Sequence, residues 1–170
     1  DLTQDLEGLD GAGIMAKIGY PGRHPEGRFF PDTYRMVRQA PASSVLKQAA
    51  QAMEQRLAQA WEQRDPATLL RSPDEALILA SIIEKETGAE ADRAMVGGVF
   101  NNRLRIGMRL QTDPTVIYGL GERFDGNLRK IDLQTDTPYN SYTRAGLPPT
   151  PISMPGWASL LAAVKPADTR

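Results

Sequence analysis

Two glutamates, Glu84 and Glu86, end an apolar run that begins at Ala76, and they are the acidic groups best placed for proton transfer. On a helix, two positions turn their side chains about 200° apart, so they cannot act as a facing pair. Glu86 follows Leu79, Ile82 and Ile83 at the seventh, fourth and third positions, which puts it on the apolar stripe. Burial there would disfavour the charged carboxylate, the environment of a general acid that works near neutral pH. The same glutamates also read as polar residues at a fraying helix end, paired with Lys85 and Arg93.

Asp113, in Gln111-Thr112-Asp113-Pro114-Thr115, is a second acidic candidate, although a helix N-cap before a first-turn proline is its more natural role. Arg103, Arg105 and Arg109 could hold substrate carboxylates through bidentate bonds, or form a solvated helix face. Tyr118, Tyr139, Tyr142 and Trp157 are suited to stacking on sugar rings or to packing in a core. Asn101, Asn102, Gln111 and Asn140 offer neutral donors and acceptors to a hydroxyl-rich ligand, though turns also favour Asn.

The rest of the composition removes whole classes. Lys and Arg number 20 against 21 Asp and Glu, a formal charge of −1, which gives no electrostatic footprint for nucleic acid. Without cysteine and with His24 as the lone histidine, thiolate and multi-histidine metal sites are excluded. No Walker or dinucleotide fingerprint and no G-x-S-x-G elbow occurs. Neither a metal nor a cofactor is expected. No apolar run approaches the roughly 18 residues of a membrane span.

The elements that must position the candidates follow from periodicity and punctuation. Residues 1–42 are dense in Gly and Pro and predict loops with short extended pieces near Phe29-Phe30 and Tyr34-Val37. Leu46, Ala49, Ala50, Met53, Leu57, Ala60 and Trp61 recur at helical spacing before Pro66. Ser72, Pro73 and Glu75 then announce a helix that is apolar all round and must be buried on most faces. A third helix is expected over 90–105 with Met95, Val96, Val99, Phe100 and Leu104 inward and Gly97-Gly98 allowing close approach. A short helix opens at Asp113-Pro114, an irregular stretch runs through 121–152, and a last helix capped by Ser153 spans 155–164. The chain of 170 residues is expected to be one helix-rich α+β domain, with the apolar helix at its centre and short strands from 26–38 and 108–113.

The run Ile82-Ile83-Glu84-Lys85-Glu86-Thr87, the stretch from Val99 through Asn102-Arg103-Leu104-Arg105 and Gln111-Thr112-Asp113-Pro114 to Gly119, Tyr139-Asn140-Ser141-Tyr142, Gly146-Leu147-Pro148-Pro149 and Phe30-Pro31-Asp32-Thr33-Tyr34 closely resemble the MltG (YceG-like) endolytic murein transglycosylases. The resemblance extends over nearly the whole chain. It implies that Glu86, the second glutamate of the Glu-Lys-Glu motif, is the catalytic acid; Asn102, Arg103, Gln111, Asp113, Tyr139, Asn140 and Tyr142, from their side-chain chemistry, are expected to bind the substrate. It also implies cleavage of the β-1,4 bond between N-acetylmuramic acid and N-acetylglucosamine inside glycan strands, with 1,6-anhydro ends, during wall synthesis.

By the same resemblance, the full-length protein is anchored at the periplasmic face of the inner membrane and meets cell-wall synthases. A membrane anchor and a LysM-like subdomain would precede this catalytic piece, and an extended region would follow it. Two other readings stay open: a muramidase-type hydrolase that uses a second carboxylate, and a non-catalytic wall-binding scaffold.

Overall fold

The computed structural model describes residues 1–168. Seven helices are found among them, in the order α1 (Gly11–Lys17), α2 (Ala42–Glu62), α3 (Pro73–Glu86), α4 (Glu90–Arg105), α5 (Asp113–Leu120), α6 (Lys130–Gln134) and α7 (Trp157–Val164). None of these is long and apolar enough to cross a membrane.

α3 starts where its punctuation says it should. The Ser72 hydroxyl accepts the Glu75 amide at 3.2 Å, while the Glu75 carboxylate reaches back to the Arg71 amide at 2.7 Å, one residue before the position of a standard capping box. Leu77, Leu79, Ile82 and Ile83 have no exposed surface, and burying each contributes about 2 kcal/mol. α2, α4, α5 and α7 all pack against α3. Ser81, fully buried in this apolar helix, donates to the Ile78 carbonyl at 2.6 Å and accepts the Ile152 amide at 2.9 Å. It thereby ties the 151–153 strap to the helix. A smaller core of Met15, Ile18 and Ala50 joins α1 to α2.

The inward face of α4 is the expected one only in part. Phe100 is buried and Val96 and Leu104 pack on the core, but Met95 is 56% and Val99 37% exposed. The cause is Gly97, where a Cβ would lie 2.3 Å from the Ala162 carbonyl oxygen. α7 passes so close to this glycine that α4 must present the stripe of Arg93, Gly97, Phe100, Asn101 and Leu104, leaving positions 95 and 99 on the far side. Asn101 sits on that stripe and donates to the Ala163 carbonyl at 3.2 Å.

The expected strands are absent among the described residues, where the β-structure consists of an isolated parallel bridge between Thr3 and Pro41. In the 26–38 segment, the Phe30 amide donates to the Ala49 carbonyl on α2 and the Tyr34 hydroxyl to the Phe30 carbonyl, so these backbone groups find partners outside any ladder. In the 108–113 segment, Gln111 adopts φ 53°, which breaks the extended run. The fold is therefore a helical assembly laced by ordered loops.

Candidate active site at the end of α3

Glu84 and Glu86 have separate fates, as their opposed directions require. One Glu84 oxygen accepts the Gly156 amide at 2.7 Å and lies 3.3 Å from the Ser159 hydroxyl, and the other lies 3.3 Å from Arg93. Gly156 is the N-cap of α7, so an acidic side chain of α3 closes the start of α7. Ser153, expected to cap that helix, instead donates to the Ser81 carbonyl at 2.8 Å.

Glu86 is the last residue of α3 and is exposed. The burial expected from its apolar stripe stops at Ile83, because α7 begins beside Glu84 and the final half-turn projects beyond it. Its carboxylate accepts the Thr112 hydroxyl at 2.7 Å.

Thr112 is 3% exposed and is the N-cap of α5, yet its hydroxyl makes no capping bond. The segment around it is fastened to residues 140–142. The Gln111 amide donates to the Ser141 carbonyl at 3.1 Å and the Thr112 amide to the Ser141 hydroxyl at 3.0 Å. The Thr115 hydroxyl donates to the Thr112 carbonyl at 2.8 Å and meets the Ser141 hydroxyl at 2.6 Å. With Thr112 as the cap, Asp113 becomes the first residue of α5, and its carboxylate accepts the Tyr142 hydroxyl at 2.6 Å. The N-cap role expected for Asp113 thus passes to its neighbour.

Tyr142 joins the two acids electrostatically. Partial burial pushes its hydroxyl up to about 12, the bond to Asp113 and the charges of Asp113 and Glu86 add to this, and Arg103 opposes it. Arg103 belongs to the same cluster: its guanidinium donates to the Leu110 carbonyl and lies 5.9 Å from the Phe100 ring. Gln111, exposed and in the left-handed region, stands beside Thr112 at the surface. A non-glycine residue held there costs about 1 to 2 kcal/mol, and such strain concentrates at functional positions.

Three of the other candidates lie elsewhere. Asn140 is 1% exposed; its amide nitrogen donates to the carbonyls of Leu133 and Thr135 at 3.1 and 2.8 Å, and its oxygen accepts the Tyr142 amide at 2.8 Å. Asn140 organises the loop and presents no open polar group. Tyr139 packs its ring 4.9 Å from that of Tyr118 and shares a 2.9 Å bond with Thr150. Asn102 lines a cleft of about 190 Å³ with Asp65, Thr68 and Pro166, on a different face of α4 from Arg103. The structure therefore brings together Glu86, Arg103, Gln111, Asp113 and Tyr142, and adds Thr112 and Ser141. Pro114 favours Asp113 as the cap, because proline prefers the first helical position, so the local sequence held no sign that Thr112 takes that place.

Residues 3–170 match the YceG-like family. The chain belongs to that family. It is 48% identical over 93 residues to the endolytic murein transglycosylase of Bacillus subtilis strain 168, an alignment that covers 55% of this chain and 26% of that protein. It is 33% identical over 135 residues to the endolytic murein transglycosylase of Streptococcus pneumoniae D39, covering 76% of this chain and 24% of that protein. The chain thus spans about a quarter of the length of these relatives. A 2.6 Å crystal structure of a yceG-like protein from Listeria monocytogenes superposes with a TM-score of 0.72 at 39% identity, over 85% of this chain and 47% of that one. In this YceG-like chain the Glu-Lys-Glu motif closes α3, so its two acids separate into one that joins helices and one that faces outward.

Proposed function

We propose that this chain is the catalytic part of an endolytic murein lytic transglycosylase and that Glu86 performs both proton transfers. The observation that carries this reading is the division between the two glutamates. Glu84 is fully engaged by Gly156, Ser159 and Arg93, whereas Glu86 is exposed and held by one hydroxyl. The names of the family's relatives give the substrate class, murein.

Glu86, protonated, donates to the oxygen of the departing N-acetylglucosamine as the bond to C1 of N-acetylmuramic acid breaks. As carboxylate it then takes the proton of the C6 hydroxyl while O6 bonds to C1. The product carries a 1,6-anhydro ring, no water is consumed, and the glutamate returns to its starting state. Gln111, exposed beside Thr112, and the Arg103 guanidinium offer polar contacts to the glycan. In the full-length protein this domain works at the periplasmic face of the inner membrane, next to the synthases that make the strands.

Mass spectrometry of digested peptidoglycan tests this: anhydro ends are expected with the wild type and none with Glu86→Gln. Equal cleavage by both proteins would leave Glu86 no catalytic role.

One observation favours a second reading. Asp113 is free of capping, and its charge and that of Glu86 both act on the Tyr142 hydroxyl, so Asp113 is the carboxylate that would serve a muramidase as its second catalytic group. Reducing ends that carry oxygen from labelled water would select it.

A further inference from the structure

The geometry points to Thr112 as a positioning residue that assigns different tasks to the two oxygens of Glu86, keeping Oε2 as a fixed acceptor and leaving Oε1 to carry the working proton. This rests on the reading of Glu86 as the acid/base group.

Thr112 occupies an N-cap, where a threonine hydroxyl ordinarily accepts a backbone amide of the first turn. Here it makes no such bond and is directed at Glu86 Oε2, at 2.7 Å. The neighbouring hydroxyls cannot take its place or turn it away. Thr115 donates to the Thr112 carbonyl, and Ser141 accepts the Thr112 amide and meets Thr115 at 2.6 Å, so both are committed to one another and to the Thr112 backbone. This buried ring fixes the Thr112 backbone on both sides, and the left-handed Gln111 sets its direction of entry.

Proton accounting then selects the oxygen. Thr112 is buried, and its hydroxyl has no second partner among the described residues. If Oε2 carried the acid's proton, the 2.7 Å bond would have to reverse, with Oε2 donating to the Thr112 oxygen and the hydrogen of the buried Thr112 hydroxyl left without an acceptor among the described residues, an arrangement native interiors avoid. The proton therefore resides on Oε1. It passes to the glycosidic oxygen as the C1–O bond breaks, and Oε1 later receives the C6 hydroxyl proton as the O6–C1 bond forms. Between these steps the carboxylate is charged, and the Thr112 bond strengthens as it becomes charge-assisted. An interaction that is stronger after proton donation than before it lowers the barrier.

The test compares wild type, Thr112→Val, Thr112→Ser and Glu86→Gln on insoluble peptidoglycan, with kcat, KM, the pH dependence of the rate and product ends all measured. Thr112→Val should lower kcat about 10- to 100-fold, the size of one lost hydrogen bond to a charged group, with KM within about twofold. Its rate profile should move to higher pH, because the charged carboxylate has lost a donor; Asp113, Tyr142 and Arg103, the other ionisable groups of the cluster, are unchanged. Thr112→Ser should recover most of kcat and the wild-type profile. If the valine variant does not fold, Thr112→Ala removes the same hydroxyl without added bulk and carries the test.

An unchanged kcat or unmoved profile without the hydroxyl overturns the assignment, as does a loss that serine fails to rescue in a normally melting protein. These outcomes leave the transglycosylase reading intact if Glu86→Gln is inactive and anhydro ends are seen. Absence of glycan cleavage by the wild type would overturn both.

Discussion

Glu84 on α3 accepts the amide of Gly156 at the start of α7, 2.7 Å away, and its second oxygen lies 3.3 Å from Arg93 on α4. One carboxylate thus joins three helices. The first amides of a helix lack partners inside it, and the positive end of its dipole favours an anion. Glu84 meets both needs and, through Arg93, fixes the angle at which α4 leaves α3.

Replacing Glu84 should therefore act on stability rather than on chemistry. Glu84→Ala is expected to cost about 2 to 3 kcal/mol, since the amide and Arg93, whose Nε is already buried without a partner, both lose their acceptor. Thermal melting should fall by several degrees, while activity well below the new midpoint stays within a few-fold of wild type. Glu86→Gln should give the reverse: a melting temperature near wild type and a rate at least about 100-fold lower. Equal melting losses in the two variants would contradict the division.

Gly97 sets the spacing between α4 and α7. Because a Cβ there would lie 2.3 Å from a backbone oxygen of Ala162, Gly97→Ala must push two main chains apart, at a cost of about 1 to 3 kcal/mol. Gly88 meets nothing within 4 Å, so Gly88→Ala should leave the denaturant midpoint nearly unchanged. Equal midpoints for the two variants would refute the close approach.

Helix positions were legible in the sequence because the signals for them are local. The periodicity after Ser43 and the Ser72-Pro73 start each reflect forces acting within a few residues. The inward face of α4 was legible in part: Val96, Phe100 and Leu104 meet the core, but Met95 and Val99 lost to a glycine contact made with a helix about 65 positions later. The strands failed for a similar reason: extended segments need a partner, and here Phe30 found α2 while Thr112 found Ser141. At the site, the apolar stripe that singled out Glu86 predicted its burial, and the structure leaves it exposed. A stripe continues on paper after the neighbouring helix has ended. Asn140 was named for its polarity, and the tertiary fold used that polarity inside a loop.

The loop that holds Ser141 and Tyr142 has an acid-sensitive latch. Arg144 donates Nε and Nη2 to the two oxygens of Asp136 at 3.0 Å each, and the Thr143 hydroxyl adds a 2.7 Å bond. Led by the Arg144 bonds, these interactions hold the Asp136 carboxyl down at about 2. Since its folded value lies below the unfolded value of about 3.9, the latch contributes fully above pH 4 and is lost as pH falls from about 4 to 2. Melting curves of wild type and Asp136→Asn should differ by a small, salt-sensitive amount above pH 4 and converge near pH 2. A gap that widens on acidification would show the sign to be wrong.

Asp113 and Tyr142 decide between transfer and hydrolysis. The Tyr142 hydroxyl, pushed up to about 12, remains a neutral donor to Asp113 across any working pH. If Asp113 only orients the sugar, Asp113→Asn keeps an acceptor oxygen for Tyr142 and should reduce kcat/KM about tenfold, with Tyr142→Phe similar, as expected for one hydrogen bond. If Asp113 activates water, its neutral amide cannot serve as a base. The loss should then approach that of Glu86→Gln, because each member of a two-carboxylate machine is needed for the same transition state. Kinetics of the three single variants on one peptidoglycan preparation, with product ends read by mass spectrometry, separate the cases. The single-acid mechanism requires Asp113→Asn to retain anhydro products at a rate well above that of Glu86→Gln.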